Sequence, residues 1–85
     1  MIFLKNILFS EVDFVIDKGF KVVPIKVKYK ELSKIRIERS LKSFIKKYDP
    51  KKAYIVGISG EKEEYKINGT KVFIIPFSDL IFLNI

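Results

Sequence analysis

Glu11-Val12-Asp13-Phe14-Val15-Ile16, followed after a short gap by Pro24-Ile25-Lys26-Val27-Lys28, is the stretch that decides the fold. Side chains alternate across a strand, so Val12, Phe14 and Ile16 fall on one face and Glu11, Asp13 and Asp17 on the other. In the second run Val23, Ile25 and Val27 alternate with Pro24, Lys26 and Lys28. Asp17-Lys18-Gly19-Phe20 lies between the two, with a glycine able to take the positive φ that tight hairpins need. A two-residue loop sets Glu11 opposite Lys26; a four-residue loop sets Asp13 opposite Lys26 and Glu11 opposite Lys28. Both registers gather Glu11, Asp13, Lys26 and Lys28 on one face and the apolar residues on the other. A slip by one residue buries the charges, so the pattern excludes it.

Outward from this hairpin the signals alternate between strand and helix. Residues 2–9 are apolar around Lys5-Asn6 and read as a first strand, with a break at Asn6 as the alternative. Glu31 to Ser33 reads as a loop, with Ser33 as an N-cap. From Lys34 the period changes: Ile37, Leu41, Phe44, Ile45 and Tyr48 recur at helical spacing until Pro50 stops the run. Residues 53–59 form an apolar strand buried on both faces. Glu61 to Asn68 is polar, with a small strand over Tyr65 to Ile67, and Asn68-Gly69-Thr70 marks a turn. Val72 to Ile75 is a further strand closed by Pro76, and Ser78-Asp79 opens a short helix through Leu83. This order predicts an α/β (α+β) domain, a small mixed sheet with one long helix. The helix, residues 34–48, packs through Leu41, Phe44 and Ile45 as a crossover between parallel strands.

Eighty-five residues, 48% of them hydrophobic, make a single domain over residues 1–85 with enough apolar side chain for a core. The absence of cysteine removes disulfides, thiol nucleophiles and zinc–thiolate sites, and the absence of histidine removes the serine–histidine triad. Any metal has to be a hard ion held by oxygen, such as magnesium or manganese. The net charge of +7, from 17 basic against 10 acidic residues, favours anionic partners. A lysine-rich chain without glutamine is also typical of hyperthermophile proteins, so charge alone does not choose. No apolar run approaches the roughly 20 residues of a membrane span. Lys5-Asn6 follows the first apolar residues at once, unlike a signal peptide. The expected location is cytoplasmic, with no membrane partner.

Five pieces follow one another over roughly residues 7–83. They are the Glu-Val-Asp-Phe-Val-Ile strand, the Pro-Ile-x-Val-Lys-Tyr strand, Leu41-Lys42-Ser43-Phe44-Ile45-Lys46-Lys47-Tyr48, the apolar strand after Lys51-Lys52, and Val72-Phe73-Ile74-Ile75-Pro76. In this order the chain resembles the C-terminal PD-(D/E)XK nuclease-like domain of prokaryotic, largely archaeal, AAA+-like ATPases. The resemblance implies a truncated restriction-endonuclease-like fold. It also implies a site in which Asp13 matches the metal-binding acid. Lys28 matches the lysine that positions water or stabilises phosphorane-like charge, and Glu11 stands where these ATPase-linked domains often carry an acid. The chain departs from the family at Lys26, where the Glu of Glu-x-Lys supplies the second metal ligand. The ATPase module and the family's first helix are missing as well.

Metal-assisted phosphodiester hydrolysis needs carboxylates converging on a hard cation. An ammonium at position 26 cannot ligate magnesium and repels it. One unit-charge interaction at about 4 Å and an effective dielectric near 20 is worth roughly 4 kcal/mol. The expectation is a degenerate, inactive site in which Glu11 and Asp13 pair with Lys26 and Lys28. No cofactor and no metal are expected; if the site is active, magnesium binds at Asp13.

Lys26, Lys28, Lys30, Arg36 and Arg39 are the expected nucleic-acid contacts. An ordinary cross-strand salt-bridge cluster and the solvated face of an amphipathic helix compete with that assignment. Three functions stay open. The domain binds DNA or RNA weakly without cleaving it; or it is a noncatalytic module that docks on itself or on a separate ATPase subunit; or it is an active magnesium-dependent endonuclease. The apolar residues Ile2, Phe3, Leu4, Ile7, Leu8 and Phe9, with Phe77, Leu80, Ile81, Phe82, Leu83 and Ile85 near the other end, predict a homodimer.

Overall fold

A computed structural model describes residues 2–4, 12–17 and 22–82, with only the backbone of residues 2–4, 17, 81 and 82. The expectations placed on Glu11, on Gly19 and its loop, on residues 5–9 and on Leu83 and Ile85 lie outside the described residues. The strands are β1 (Ile2–Leu4), β2 (Phe14–Asp17), β3 (Val22–Val27), β4 (Lys52–Gly57), β5 (Glu63–Ile67) and β6 (Thr70–Pro76). They form one mixed sheet in the order β1-β2-β3-β4-β6-β5. The helix α1 (Arg39–Tyr48) crosses between the parallel strands β3 and β4. β4 pairs in parallel with β6 on its other side, and β5 and β6 form an antiparallel edge hairpin. The expected mixed sheet with one helix is the observed architecture.

In the first hairpin Phe14 lies opposite Ile25 and Asp17 opposite Val22. This is the register of the four-residue connection, and one further step along it sets Asp13 against Lys26. Pro24 faces Val15 across that hairpin and sits one residue before the parallel ladder to β4 begins at Ile25. Lacking an N–H, proline fits where a ladder has yet to start. β4 is the central strand, and Ala53 to Gly57 are all buried, as its unbroken apolar run requires.

The sheet separates two apolar layers. On one face Leu41, Phe44 and Ile45 of α1 pack over Val12, Val15, Ala53, Ile55, Val72 and Ile74. On the other, Ile16, Val23, Ile25, Tyr54, Val56 and Ile75 meet Phe14, Phe73 and Leu80, the last from a 3-10 helix over Phe77–Phe82. Val12 belongs to the α1 layer, not with Phe14 and Ile16 as strict alternation predicts. The reason is local. Asp13 interrupts the alternation: β2 begins only at Phe14, while the Asp13 N–H donates to the Ile25 carbonyl at 3.0 Å.

The predicted helix from Lys34 is shorter than its period suggests. A 3-10 turn covers Leu32–Lys34, with Ser33 inside it, and α1 starts at Arg39 after an extended Glu38 that provides no side-chain cap. Ile35 is also extended and buried. Two β-branched isoleucines at positions 35 and 37 favour that conformation over a helical turn. The segment crosses β4 at close range: a Cβ on Gly57 would lie 2.7 Å from both Leu32 and Ile35 and 2.9 Å from the Lys30 carbonyl. At its far end α1 stops as predicted before Pro50. Asp49 takes a left-handed conformation there and its N–H bonds the Ile45 carbonyl. β5 starts two residues earlier than expected and ends at Ile67 as predicted, β6 is longer at both ends, and the strand predicted over 53–59 ends at Gly57, leaving Ile58 exposed.

Candidate functional site

The end of β3 positions the charged residues singled out by the sequence. Asp13, just before β2, turns its carboxylate toward the neighbouring backbone, and Oδ2 accepts the Val27 N–H at 2.7 Å. This bond prolongs the hairpin beyond its last regular pair and occupies one of the carboxylate oxygens. Lys26 and Lys28 are half-buried and Lys30 is exposed. The Lys28 N–H donates to the Val56 carbonyl at 2.8 Å, extending β3 along β4 past Val27.

Among the described residues, the side-chain partner of Lys28 is not Asp13. Its Nζ forms a short charge-assisted bond with Oε1 of Glu38, the residue at the entrance to α1. The Lys28 hydrogen bond, followed by the fields of Lys28, Lys26 and Lys30, holds the Glu38 carboxyl below its ordinary range. Lys28 is therefore the bonded partner of a carboxylate that the sequence reading left unassigned, and the charges of Lys26 and Lys30 act on it as well. The alternation of Ile35 and Ile37 was the signal available: an extended run through 37 places Glu38 at the helix entrance instead of within a helix. Arg39 opens α1 and is exposed. Arg36 is exposed and turns elsewhere, lining a separate groove with Lys42 and Tyr65.

Magnesium is the metal that the family resemblance implies, and the donors among the described residues do not fit it. Among the described residues no group of three or more acidic side chains converges to hold a cation. The carboxylate of Asp13 already takes a backbone N–H, and Glu38 takes the Lys28 ammonium. A hard divalent ion needs several anionic oxygens in one place, and ammonium groups in their stead oppose it. What this corner can do chemically is present positive charge.

An apolar patch adjoins it. Tyr29, Ile58 and Phe77 are 87%, 57% and 64% exposed and line one groove together with Val27 and Val56, so these large side chains form a shared surface instead of scattered singles. Among the described residues no helix is long and apolar enough to cross a membrane.

Residues 5–80 match the family described as Domain of unknown function (DUF4143), found in AAA-ATPase-associated proteins, and the chain belongs to that family. The match is not to a nuclease-specific family. Comparisons with curated proteins and with solved structures give no significant match.

Proposed function

We propose that this domain binds nucleic acid through its phosphates and does not cleave it. The observation that supports this reading is the run of Lys26, Lys28 and Lys30 at the end of β3, with Lys28 bonded to Glu38 and all three charges felt by its carboxylate. Arg39 follows Glu38 directly in the chain and adds a further cation. These side chains present positive charge to a polyanion, in a chain whose net charge is +7. Absence of cleavage follows from the same residues: Lys26 stands where the resemblance requires a carboxylate, and Asp13 holds the hairpin backbone.

Gel-shift and cleavage assays on duplex DNA and RNA test this. Binding at low salt is expected, weakening by about 0.9 log units per log unit of salt for each phosphate contacted on duplex DNA. Replacing Lys26, Lys28 and Lys30 together with alanine should flatten that slope. No cleavage is expected in magnesium or manganese. Magnesium-dependent cleavage that Asp13→Asn abolishes would instead establish an active endonuclease.

A second reading, a noncatalytic module docking on an ATPase subunit or on its own copy, is favoured by the patch of Tyr29, Ile58 and Phe77. The family's occurrence in AAA-ATPase-associated proteins supports it too. Light scattering across micromolar concentrations tests the homodimer. A monomer whose mass and solubility are indifferent to Phe77→Lys rules out self-association through this patch.

A further inference from the structure

A groove of about 690 Å³ runs between the Ile35-Arg36-Ile37 segment, the first turn of α1 and the edge strand β5. Its residues are none of those that surround Glu38 or line the apolar patch. Ile35, Ile67 and Ile74 give it an apolar floor, and Arg36 and Lys42 stand on one side. Tyr65 stands on the other. It lies opposite Val72 in the β5–β6 ladder, which directs its ring to the same face of the sheet as α1. The ring is 44% exposed, an aromatic face open to solvent beside two cations. Neither Arg36 nor Lys42 takes part in the ion pairs of the described residues, Lys28–Glu38 and Lys62–Asp79.

We infer that this groove holds a single-stranded nucleic acid, with a base stacked on Tyr65 and the flanking phosphates on Arg36 and Lys42. The inference rests on the nucleic-acid reading above and names the form of nucleic acid and a second contact point for it. An apolar floor with an aromatic wall suits a flat, uncharged ring, and a guanidinium and an ammonium beside it suit the attached phosphates. A duplex keeps its base faces stacked inside and cannot offer one to Tyr65. The Tyr65 hydroxyl donates to Glu63 at 2.5 Å, which anchors the ring. That bond and the charge of Glu63 raise the phenol above its ordinary range, so the ring meets the ligand neutral. Glu63 repels phosphate at the hydroxyl end and leaves Arg36 and Lys42 as the end where phosphate fits. Lys66, opposite Lys71 in the ladder, also lines the groove and adds a third cation to it.

Fluorescence anisotropy with a labelled oligothymidylate dodecamer and with a duplex of equal length tests the assignment at low salt. Tyr65→Leu on the exposed edge strand should weaken single-strand binding about tenfold and leave duplex binding unchanged, while Tyr65→Phe keeps the single-strand affinity. Arg36→Ala with Lys42→Ala should flatten the salt dependence of single-strand binding by about 1.4 log units per log unit of salt, two contacts at about 0.7 each. If Tyr65→Leu changes neither affinity while alanines at Lys26, Lys28 and Lys30 lower both, the groove is overturned and the lysine corner stands. If Tyr65→Leu spares oligonucleotide binding but changes the solution mass, the groove is a protein contact and the inference fails. Absence of binding to either probe overturns the groove and the reading beneath it together.

Discussion

The lysine corner at the end of β3 and the groove along β5 are both cationic, yet they hold their charge differently. In the corner, Lys28 is bonded to Glu38, and Lys26 and Lys30 act on the same carboxylate. In the groove, Arg36 and Lys42 flank an apolar floor and enter neither ion pair of the described residues. The corner therefore joins hairpin to helix through Lys28 and Glu38. The groove makes no such joint. A charge in an ion pair must give up a partner to bind phosphate, whereas an unpaired one gives up only water. One short segment links the two regions, because Lys30 and Arg36 stand at either end of the crossing over Gly57.

Breaking that crossing should have the largest effect. An alanine methyl at Gly57 meets the Leu32 and Ile35 methyls at 2.7 Å and the backbone carbonyl of Lys30 at 2.9 Å, and the carbonyl cannot rotate away. Gly57→Ala should cost about 3 kcal/mol in urea or thermal unfolding, as overpacking against backbone does. Gly69→Ala is the control. Its φ is +85° but nothing lies within 4 Å of an added Cβ, so only the conformational cost of about 1 kcal/mol applies. Equal costs at the two glycines would mean that the segment yields easily and does not couple corner to groove.

Asp13 comes next and tests whether the corner is structural. Its carboxylate accepts the Val27 N–H in a partly buried setting. Asp13→Ala leaves that donor without its partner and should cost about 2 kcal/mol; Asp13→Asn keeps an acceptor and should cost about half as much. Both are read by chemical denaturation in metal-free buffer. A residue whose sole role was to hold magnesium would show no loss there in either variant.

The hairpin register was legible to within two choices, because alternation on both strands excludes a slip by one residue, and the structure takes the four-residue one. Its outcome agrees from Phe14 opposite Ile25 to Asp17 opposite Val22. The central strand was legible for a similar reason, since no polar residue interrupts Ala53 to Gly57. The helix start was not. Ile37, Leu41 and Phe44 fit a helical period, but Ile37 also fits the period of two with Ile35, and packing across Gly57 selected the extended form. The same ambiguity hid Glu38, which looks like a solvated helical residue in the sequence and becomes the partner of Lys28 in space. Likewise Tyr65 and Arg36 are far apart in the chain, and only the placement of β5 at the sheet edge brings them to one groove.

Glu38→Gln should have the smallest effect on stability and yet separates the two regions most sharply. Lys28 holds the Glu38 carboxyl below its ordinary pKa of 4.5, first through the hydrogen bond and then through charge, with Lys26 and Lys30 adding to it. A carboxyl depressed by folding stabilises the protein above its unfolded pKa and loses that contribution as pH falls through the lower folded value. The effect at neutral pH is small, under about 1 kcal/mol, because the Glu38 side chain is half exposed and solvent screens the pair. The difference between Glu38→Gln and the native chain in thermal melts should therefore begin to shrink as pH falls below 4.5 and vanish below the lower folded value. Binding should move the other way. With the carboxylate gone, Lys28 is released to a phosphate, so duplex affinity should rise a few-fold and its salt slope steepen by about 0.9. Single-strand binding through Tyr65, Arg36 and Lys42 should change less than duplex binding does. If duplex affinity stays flat or falls, the lysines around Glu38 serve the joint between hairpin and helix alone, and the groove is left as the only candidate for nucleic acid.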